Sequence, residues 1–444
     1  ASMIINELRD NKVNSCKFKC AIDDDPAKKN TYILGIKVYG DRNSIIEAAE
    51  KFQIDTILFA IPSCDNKEKG EILNICKETG CELKIVPSIY QMMNSGEKGI
   101  SKKIRKVQIE DLLGREPISL DINRIIDYVA GRTVLVTGGG GTIGTYVAKS
   151  LLEMGASVDI ICLEDYKSDN EKLRYFKSKV TVDFLKGFLA DKHYNAILDF
   201  LHHTVAEEHI NFHMEIAPKT DQEIFFSSIR AIGDAQHPIT ETAPLILDLI
   251  EKGEFTDQFF IDHDDYSIPK AECERYLKYV SRYKNWTIIR PMINTSDKRF
   301  DLIQYTFNEV IDAAKEGRTL YLPEMCRKNV AGLEWAGNTG KMIANLLFKE
   351  ECFGETYMLS SGHHMTWEDV AKIYEELLRL KYEWLQTEEY IAKSHRGGFP
   401  LFYDRGYDRT VDNTKLLKAT GLTAADFTPF KEGVKLELKK VGAI

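Results

Sequence analysis

An apolar strand, a glycine-rich turn and a helix follow one another without a break between residues 133 and 154. Thr133–Val136 is a β-favouring run, Thr137–Gly144 reads Thr-Gly-Gly-Gly-Gly-Thr-Ile-Gly, and 145–154 has helical periodicity closed by Gly155. In this TGxxGxxG spacing Gly138 permits the tight turn, Gly141 lets the backbone approach a pyrophosphate, and Gly144 lets helix and strand pack closely. The helix that opens there offers free N–H groups and its positive dipole end to an anion. This segment commits the chain from residue 131 onward to a doubly wound parallel sheet. Thr137, Gly138, Gly141, Thr142, Ile143 and Gly144 are expected against a dinucleotide.

The next strand, 157–163, ends on Glu164-Asp165, about 20 residues past the turn. A carboxylate at that point hydrogen-bonds the adenosine ribose and repels a 2′-phosphate, so NAD is expected rather than NADP. Glu164 aligns best, Asp165 is second, and Asp183, after a third strand, is a candidate for the adenine.

With 444 residues, more than one unit is expected. Ahead of the glycine turn, strands at 18–22, 55–61 and 83–87 alternate with helical patterns at 44–52 and 68–79, again a parallel α/β arrangement. The expected organisation is an incomplete Rossmann-like unit over 1–100, a linker over 101–130, a Rossmann unit over 131–295, and a smaller, mainly helical region over 296–444 interleaved with it.

A net charge of -9 disfavours nucleic acid as a partner, and the run Lys102–Lys106 reads as a solvated patch. Nine cysteines without a CxxC pair fit a reducing cytoplasm rather than a disulfide framework. No stretch approaches the ~20 apolar residues of a membrane span.

Tyr266-Ser267-Ile268-Pro269-Lys270 is a YxxxK, whose i,i+4 spacing puts tyrosine and lysine on one helix face. There the ammonium can hold ribose hydroxyls and favour the phenolate, so that Tyr266 exchanges a proton. The motif is common by chance and gains weight from its position. It lies downstream of Ser227-Ser228, which closes an apolar strand, and ahead of a strand ending in Arg290-Pro291.

In that order the chain from Gly131 onward resembles the extended short-chain dehydrogenase/reductases, the NAD-dependent epimerase/dehydratase family. Where that family reads SSxxxYG and then YxxxK, this chain has Ser227 through Gly233 and then Tyr266 through Lys270. The resemblance implies a nucleotide-linked sugar as substrate, Ser228, Tyr266 and Lys270 as the catalytic set, and Pro291 beside the cofactor. It also implies Arg409, in the segment Tyr407–Lys415, and Arg327 on the substrate's diphosphate, and a homodimer. His202, where the family usually has alanine, is a candidate for substrate contact, with local packing of His202-His203 an equal reading.

One departure is informative. The family's dehydratases follow the catalytic hydroxyl residue with Asp-Glu or Asp-Lys, and this chain has Ile229-Arg230. Isoleucine cannot protonate a leaving hydroxyl and arginine is not a neutral base, which counts against removal of water.

Residues 1–130 resemble the region ahead of the catalytic domain in the membrane-bound nucleotide-sugar 4,6-dehydratases of bacterial capsule and glycan synthesis. The matching pieces are Ala21–Pro26, Phe59–Ser63, Ile85–Pro87 and, most distinctively, Val107–Pro117. That family's unit opens with a strand and a glycine turn preceded by membrane helices. This chain begins about where the turn ends, so it reads as a piece of a longer parent and its N-terminal unit is not expected to bind a nucleotide. A cytoplasmic location, at the inner membrane face in a longer parent, follows from the resemblance.

His209 and His213, at i,i+4, lack a third ligand and read as surface or capping residues; no metal site is expected. The expected activity is an NAD-dependent epimerase or 4-ketoreductase acting at C4 of a nucleotide-linked sugar. A 4,6-dehydratase is the alternative among enzymes, and an NAD-binding scaffold is the alternative outside them.

Overall fold

The computed structural model describes residues 5, 17–61, 66–85, 105–106, 128–299 and 301–444. The chain divides into two compact units, Ala1–Ser119 and Leu120–Ile444. The boundary falls inside the stretch expected as a linker, most of which lies outside the described residues, as does the segment Val107–Pro117.

In the first unit Ala21–Ile22 runs parallel to Ile36–Gly40, which also pairs antiparallel with Tyr32–Ile33. Thr56–Phe59 runs parallel to Glu82–Ile85, which pairs antiparallel with Arg105–Lys106. The helices Ile45–Lys51 and Asn66–Glu78 stand where periodicity places them. The hairpin at 32–40 was not expected. Its turn residues Leu34 and Gly35 both have positive φ (49° and 81°), the geometry of a type I′ turn, and Leu-Gly is a weak signal for one.

The second unit is built on seven parallel strands: β1 (Thr133–Thr137), β2 (Ser157–Cys162), β3 (Leu173–Lys177), β4 (Tyr194–Asp199), β5 (Thr220–Phe226), β6 (Trp286–Pro291) and β7 (Glu355–Leu359). Their order is β7-β6-β5-β4-β1-β2-β3, so the winding reverses between β1 and β4. Side chains alternate along β1 because the strand period is two. Val134 and Val136 pack with Val147 and Leu151 of α1 (Thr142–Glu153) and with Met342 and Ile343, all buried. Leu135, on the other face, packs with Leu185 of α2 (Val182–Phe188) and with Phe212 and Ile216 of α3 (Ala206–Ile216). A sheet covered on both faces explains the unbroken apolar runs.

Beyond residue 296 the chain builds a second core around Leu302, Leu322, Trp367, Tyr374, Tyr390 and Phe430. Its helices include Phe307–Glu316, Trp367–Leu378 and Phe430–Lys440. This region is less purely helical than its composition suggests, since Thr319–Pro323 pairs with Lys381–Leu385 and Glu355–Leu359 returns to the main sheet as β7. Among the described residues no helix is long and apolar enough to cross a membrane.

Candidate active site at the winding reversal

In open α/β sheets ligands bind outside the carboxyl ends of the strands where the winding reverses. A cavity of about 430 Å³ lies there, lined by the turn after β1, the residues after β4 and β5, Pro291 at the end of β6, and Tyr266 and Lys270.

The turn after β1 is shaped by glycine at two positions, 138 and 144. Gly138 has φ 64°, the left-handed region. A Cβ on Gly144 would lie 2.4 Å from the Gly139 carbonyl oxygen, so helix and turn can approach only without one. Gly141 caps α1, where an added Cβ would come no nearer than 4.0 Å to the Gly138 carbonyl oxygen, and Gly138, Gly141, Thr142, Ile143 and Gly144 all line the cavity. Thr137 lies just beneath, donating its hydroxyl to Asp199 at 2.6 Å.

Glu164 is exposed beyond β2, with its carboxylate so close to the turn that a Cβ on Gly140 would sit 2.9 Å from Oε2. Asp165 is exposed, and Asp183 is exposed in the first turn of α2; none of the three acids lines the cavity. Lys298, which the sequence did not single out, donates its ammonium to the Gly140 carbonyl and to Thr145 Oγ1, over the same turn.

Tyr266 is the N-cap of α4 (Ser267–Arg275), and the Lys270 N–H bonds the Tyr266 carbonyl at 3.1 Å. The i,i+4 pair therefore spans the helix's first turn, where Pro269 is tolerated because its missing N–H would have no helical partner. Asp264 holds that turn in place, accepting the Tyr266 and Ile268 N–H groups at 3.2 and 2.9 Å and the Ser267 hydroxyl at 3.0 Å.

Lys270 is buried and donates to the Phe226 carbonyl at 2.7 Å. Burial lowers its pKa from the usual lysine value, with the Asp199 carboxylate opposing the shift. The two serines separate in role. Ser227 donates to Glu274 at 2.6 Å, inside a buried network in which Arg290 meets the same carboxylate through Nε and Nη2 at 2.8 and 2.7 Å. Ser228 accepts the Arg230 N–H at 3.1 Å, which leaves its own O–H available to a ligand. His202 lines the cavity with its ring 5.1 Å from that of Tyr266. Burial, then the charge of Lys270, lowers the His202 pKa.

Arg230 lies over the Tyr266 ring, 4.9 Å from its centroid, and pairs with Asp264 at 3.3 Å. Asp404, also in the cavity wall, gathers a set of guanidiniums: Arg405 beside it, Arg409 at 3.6 Å and Arg230 at 3.8 Å. Despite its burial these cations, with Arg299, hold the Asp404 carboxyl below the usual carboxylate range. Arg409 is fully buried behind the lining, donating to the Ile229 carbonyl at 3.4 Å, whereas Arg405 and Arg299 reach the cavity. Arg327 lies outside it, paired with Glu368 at 2.7 Å and Glu324 at 3.4 Å.

The two α3 histidines are not surface residues. His213 is buried between Glu223 (2.6 Å) and Ser281 (2.7 Å), and His209 is buried facing Asp199. Their helix packs its apolar stripe on the sheet and takes both rings with it.

Residues 1–87 match the family model of a CoA-binding domain. The chain is 39% identical over 130 residues to the probable polysaccharide biosynthesis protein EpsC of Bacillus subtilis, a match covering 29% of this chain and 21% of that protein. It is 37% identical over 151 residues to the capsular polysaccharide biosynthesis protein CapD of Staphylococcus aureus, covering 34% and 25%. The matches thus span a quarter or less of these curated relatives.

Among solved structures, epimerase Mth375 of Methanothermobacter thermautotrophicus superposes with a TM-score of 0.53 at 14% identity, over 73% of this chain and 96% of that one. The Bordetella bronchiseptica enzyme WbmG, solved in complex with NAD, gives 0.53 at 15% identity over 71% and 96%. Over those spans the chain is similar to the polysaccharide biosynthesis proteins EpsC and CapD, and it shares the fold of the solved epimerase Mth375 and of WbmG.

Proposed function

We propose that the second unit is an NAD-dependent nucleotide-sugar epimerase or 4-ketoreductase of polysaccharide synthesis, acting at C4 of the sugar. The observation that carries this reading is the convergence of Ser228, Tyr266 and Lys270 on one cavity with the glycine turn. The glycine turn, with the uncrowded face of Gly141 and the N-terminus of α1, fits a pyrophosphate. Glu164 fits an adenosine ribose, and NAD bound there supplies a hydride acceptor. WbmG, which shares the fold, was solved with NAD and also with NAD and UDP.

The chain's own part is proton transfer and charge placement. Tyr266, as the phenolate, takes the proton of the sugar's C4 hydroxyl. The hydroxyl of Ser228 donates to the same oxygen, since its lone pair is already engaged by Arg230 N–H. Lys270, oriented by the Phe226 carbonyl, brings a positive charge to the ribose and the tyrosine. Arg230, Arg299 and Arg405 all line this wall of the cavity beside Asp404, and guanidiniums suit a diphosphate.

An epimerase returns the hydride to the opposite face of the 4-keto sugar. A 4-ketoreductase works in the reverse sense, a 4-keto sugar taking hydride from NADH while Tyr266 gives a proton to the C4 oxygen. Loss of water from C5–C6 needs an acid and a base where Ile229 and Arg230 stand. Incubation with UDP-, GDP-, CDP- and dTDP-sugars and NAD, with products read by mass and NMR, tests the proposal. Unchanged mass with inverted C4 is expected for the epimerase. A product lighter by one water sinks it, and NAD binding without turnover of any sugar favours a scaffold.

A further inference from the structure

Behind Lys270 lies a cluster that hydride transfer does not use. Asp199 ends β4, His203 follows it in the loop, and His209 stands on α3; their exposures are 1%, 7% and 1%. Asp199 Oδ1 is fully engaged by the Thr137 hydroxyl at 2.6 Å and the Leu201 N–H at 3.2 Å. Oδ2 faces His203 Nε2 at 3.5 Å and His209 Nδ1 at 3.6 Å. At these separations and angles no hydrogen bond forms. Asp199 Oδ2, His203 Nε2 and both ring nitrogens of His209 are buried without a partner. Buried polar atoms are nearly always satisfied, so a group of four left open in one place needs an occupant.

The spacing identifies one. Ligand atoms about 2.0–2.1 Å from a tetrahedral ion stand about 3.3 Å apart, close to the separations here. Two imidazoles and one carboxylate are the donors of borderline ions such as Zn²⁺, whereas Ca²⁺ and Mg²⁺ require oxygen-rich sets. The carboxylate is already oriented by Thr137 and Leu201, as the outer partners of a metal ligand orient it. His203 turns its other nitrogen toward Glu208, 3.7 Å away.

We infer that Asp199, His203 and His209 form a binding site for a single divalent transition-metal ion of the zinc type, with a fourth position left to water. The inference is independent of the proposed sugar chemistry. Lys270 is the cation nearby; its ammonium lies 5.0 Å from the centroid of the Phe225 ring, which is 4.1 Å from the His209 ring. This like charge opposes the dication, so the site is one that added metal fills and a chelator empties.

The test uses the full chain, stripped with a chelator and titrated with Co²⁺ and then Zn²⁺. One equivalent of Co²⁺ with the intense visible bands of a four-coordinate site, displaced one-for-one by Zn²⁺, is expected. His203→Gln and His209→Gln should lose the bands, while His193→Gln, altering an exposed histidine paired with Asp221, should keep them. X-ray absorption of the Zn²⁺-loaded wild type should show two imidazoles, and needs no variant to fold. Absence of stoichiometric binding, a zinc shell without two imidazoles, or equal binding by the His203 and His209 variants would overturn the inference and leave an internal Asp–His pairing only.

Discussion

The guanidinium of Arg230 lies over the ring of Tyr266, 4.9 Å from the centroid, and is anchored there by Asp264, which also caps the helix that Tyr266 begins. One carboxylate thus fixes both members of the pair. A cation on the face of a phenol stabilises it as the ring gains negative charge, by about 0.5–2 kcal/mol for such contacts. Arg230→Met is therefore expected to lower kcat by about 2- to 30-fold with little change in melting temperature, measured by steady-state kinetics beside thermal unfolding. An unchanged kcat would make the stacking structural only.

Tyr266→Phe removes the proton carrier and keeps the ring. Turnover should fall by about 10²–10⁴-fold, the usual worth of a positioned acid or base, while NAD affinity measured by calorimetry stays within about twofold. Turnover that survives would place the proton transfer elsewhere.

Gly144→Ala puts a Cβ 2.4 Å from a backbone oxygen, which cannot yield as a side chain can. A loss of about 1–3 kcal/mol in urea-unfolding free energy is expected, together with weakened NAD binding, because the turn must open to admit the methyl. Gly187→Ala, where the added Cβ meets nothing within 4 Å, is the control.

Glu274 is buried, yet Arg290, Lys278 and the Ser227 hydroxyl outweigh the burial and hold its carboxyl at about 2. A carboxylate whose folded pKa is depressed stabilises the fold above its unfolded pKa and loses that contribution as pH falls through the folded one. The loss is therefore expected from roughly pH 4.5 down to 2. Glu274→Gln, which leaves Arg290 buried and unpaired, should cost about 3–5 kcal/mol at pH 7 and flatten that part of the stability–pH curve.

His209 adds a second acid-sensitive step. Burial, only partly offset by Asp199, lowers its pKa to about 4. The unfolded state then takes up the proton first, so stability is lost as pH falls from roughly 6.5 to 4 and is intact above that range. Chemical unfolding of chelator-treated protein across that window should show the slope in the wild type and not in His209→Gln.

Much of this site is legible in the sequence where a local rule writes it. The glycine turn announces itself because position 138 lies in the left-handed region that favours glycine and position 144 has no room for a Cβ, and Tyr266 with Lys270 because a helix brings i and i+4 together. Asp264 could also have been found, as an acid just ahead of a helix start. The meetings of Arg230 with Asp404 and of Arg409 with Ile229 could not, since each spans more than 170 residues of chain with no motif to mark it. Nor does a residue's type say which side of a wall it occupies, so Arg409 is buried behind the cavity where a lining role was expected, and Arg327 spends its charge on Glu368. His209 and His213 read as surface residues for a similar reason. Their burial depends on Asp199, Glu223 and Ser281, partners distant in sequence that their own helix does not announce.

The central claim is hydride removal from C4 with Tyr266 as the proton acceptor. It is tested most directly by supplying a UDP-hexose deuterated at C4, in a single turnover with NAD, and following the label by mass spectrometry and NMR. Deuterium should appear on the nicotinamide, or on the inverted C4 of a product of unchanged mass, in the wild type and not in Tyr266→Phe. Deuterium remaining on an uninverted C4 with no labelled nicotinamide would contradict it.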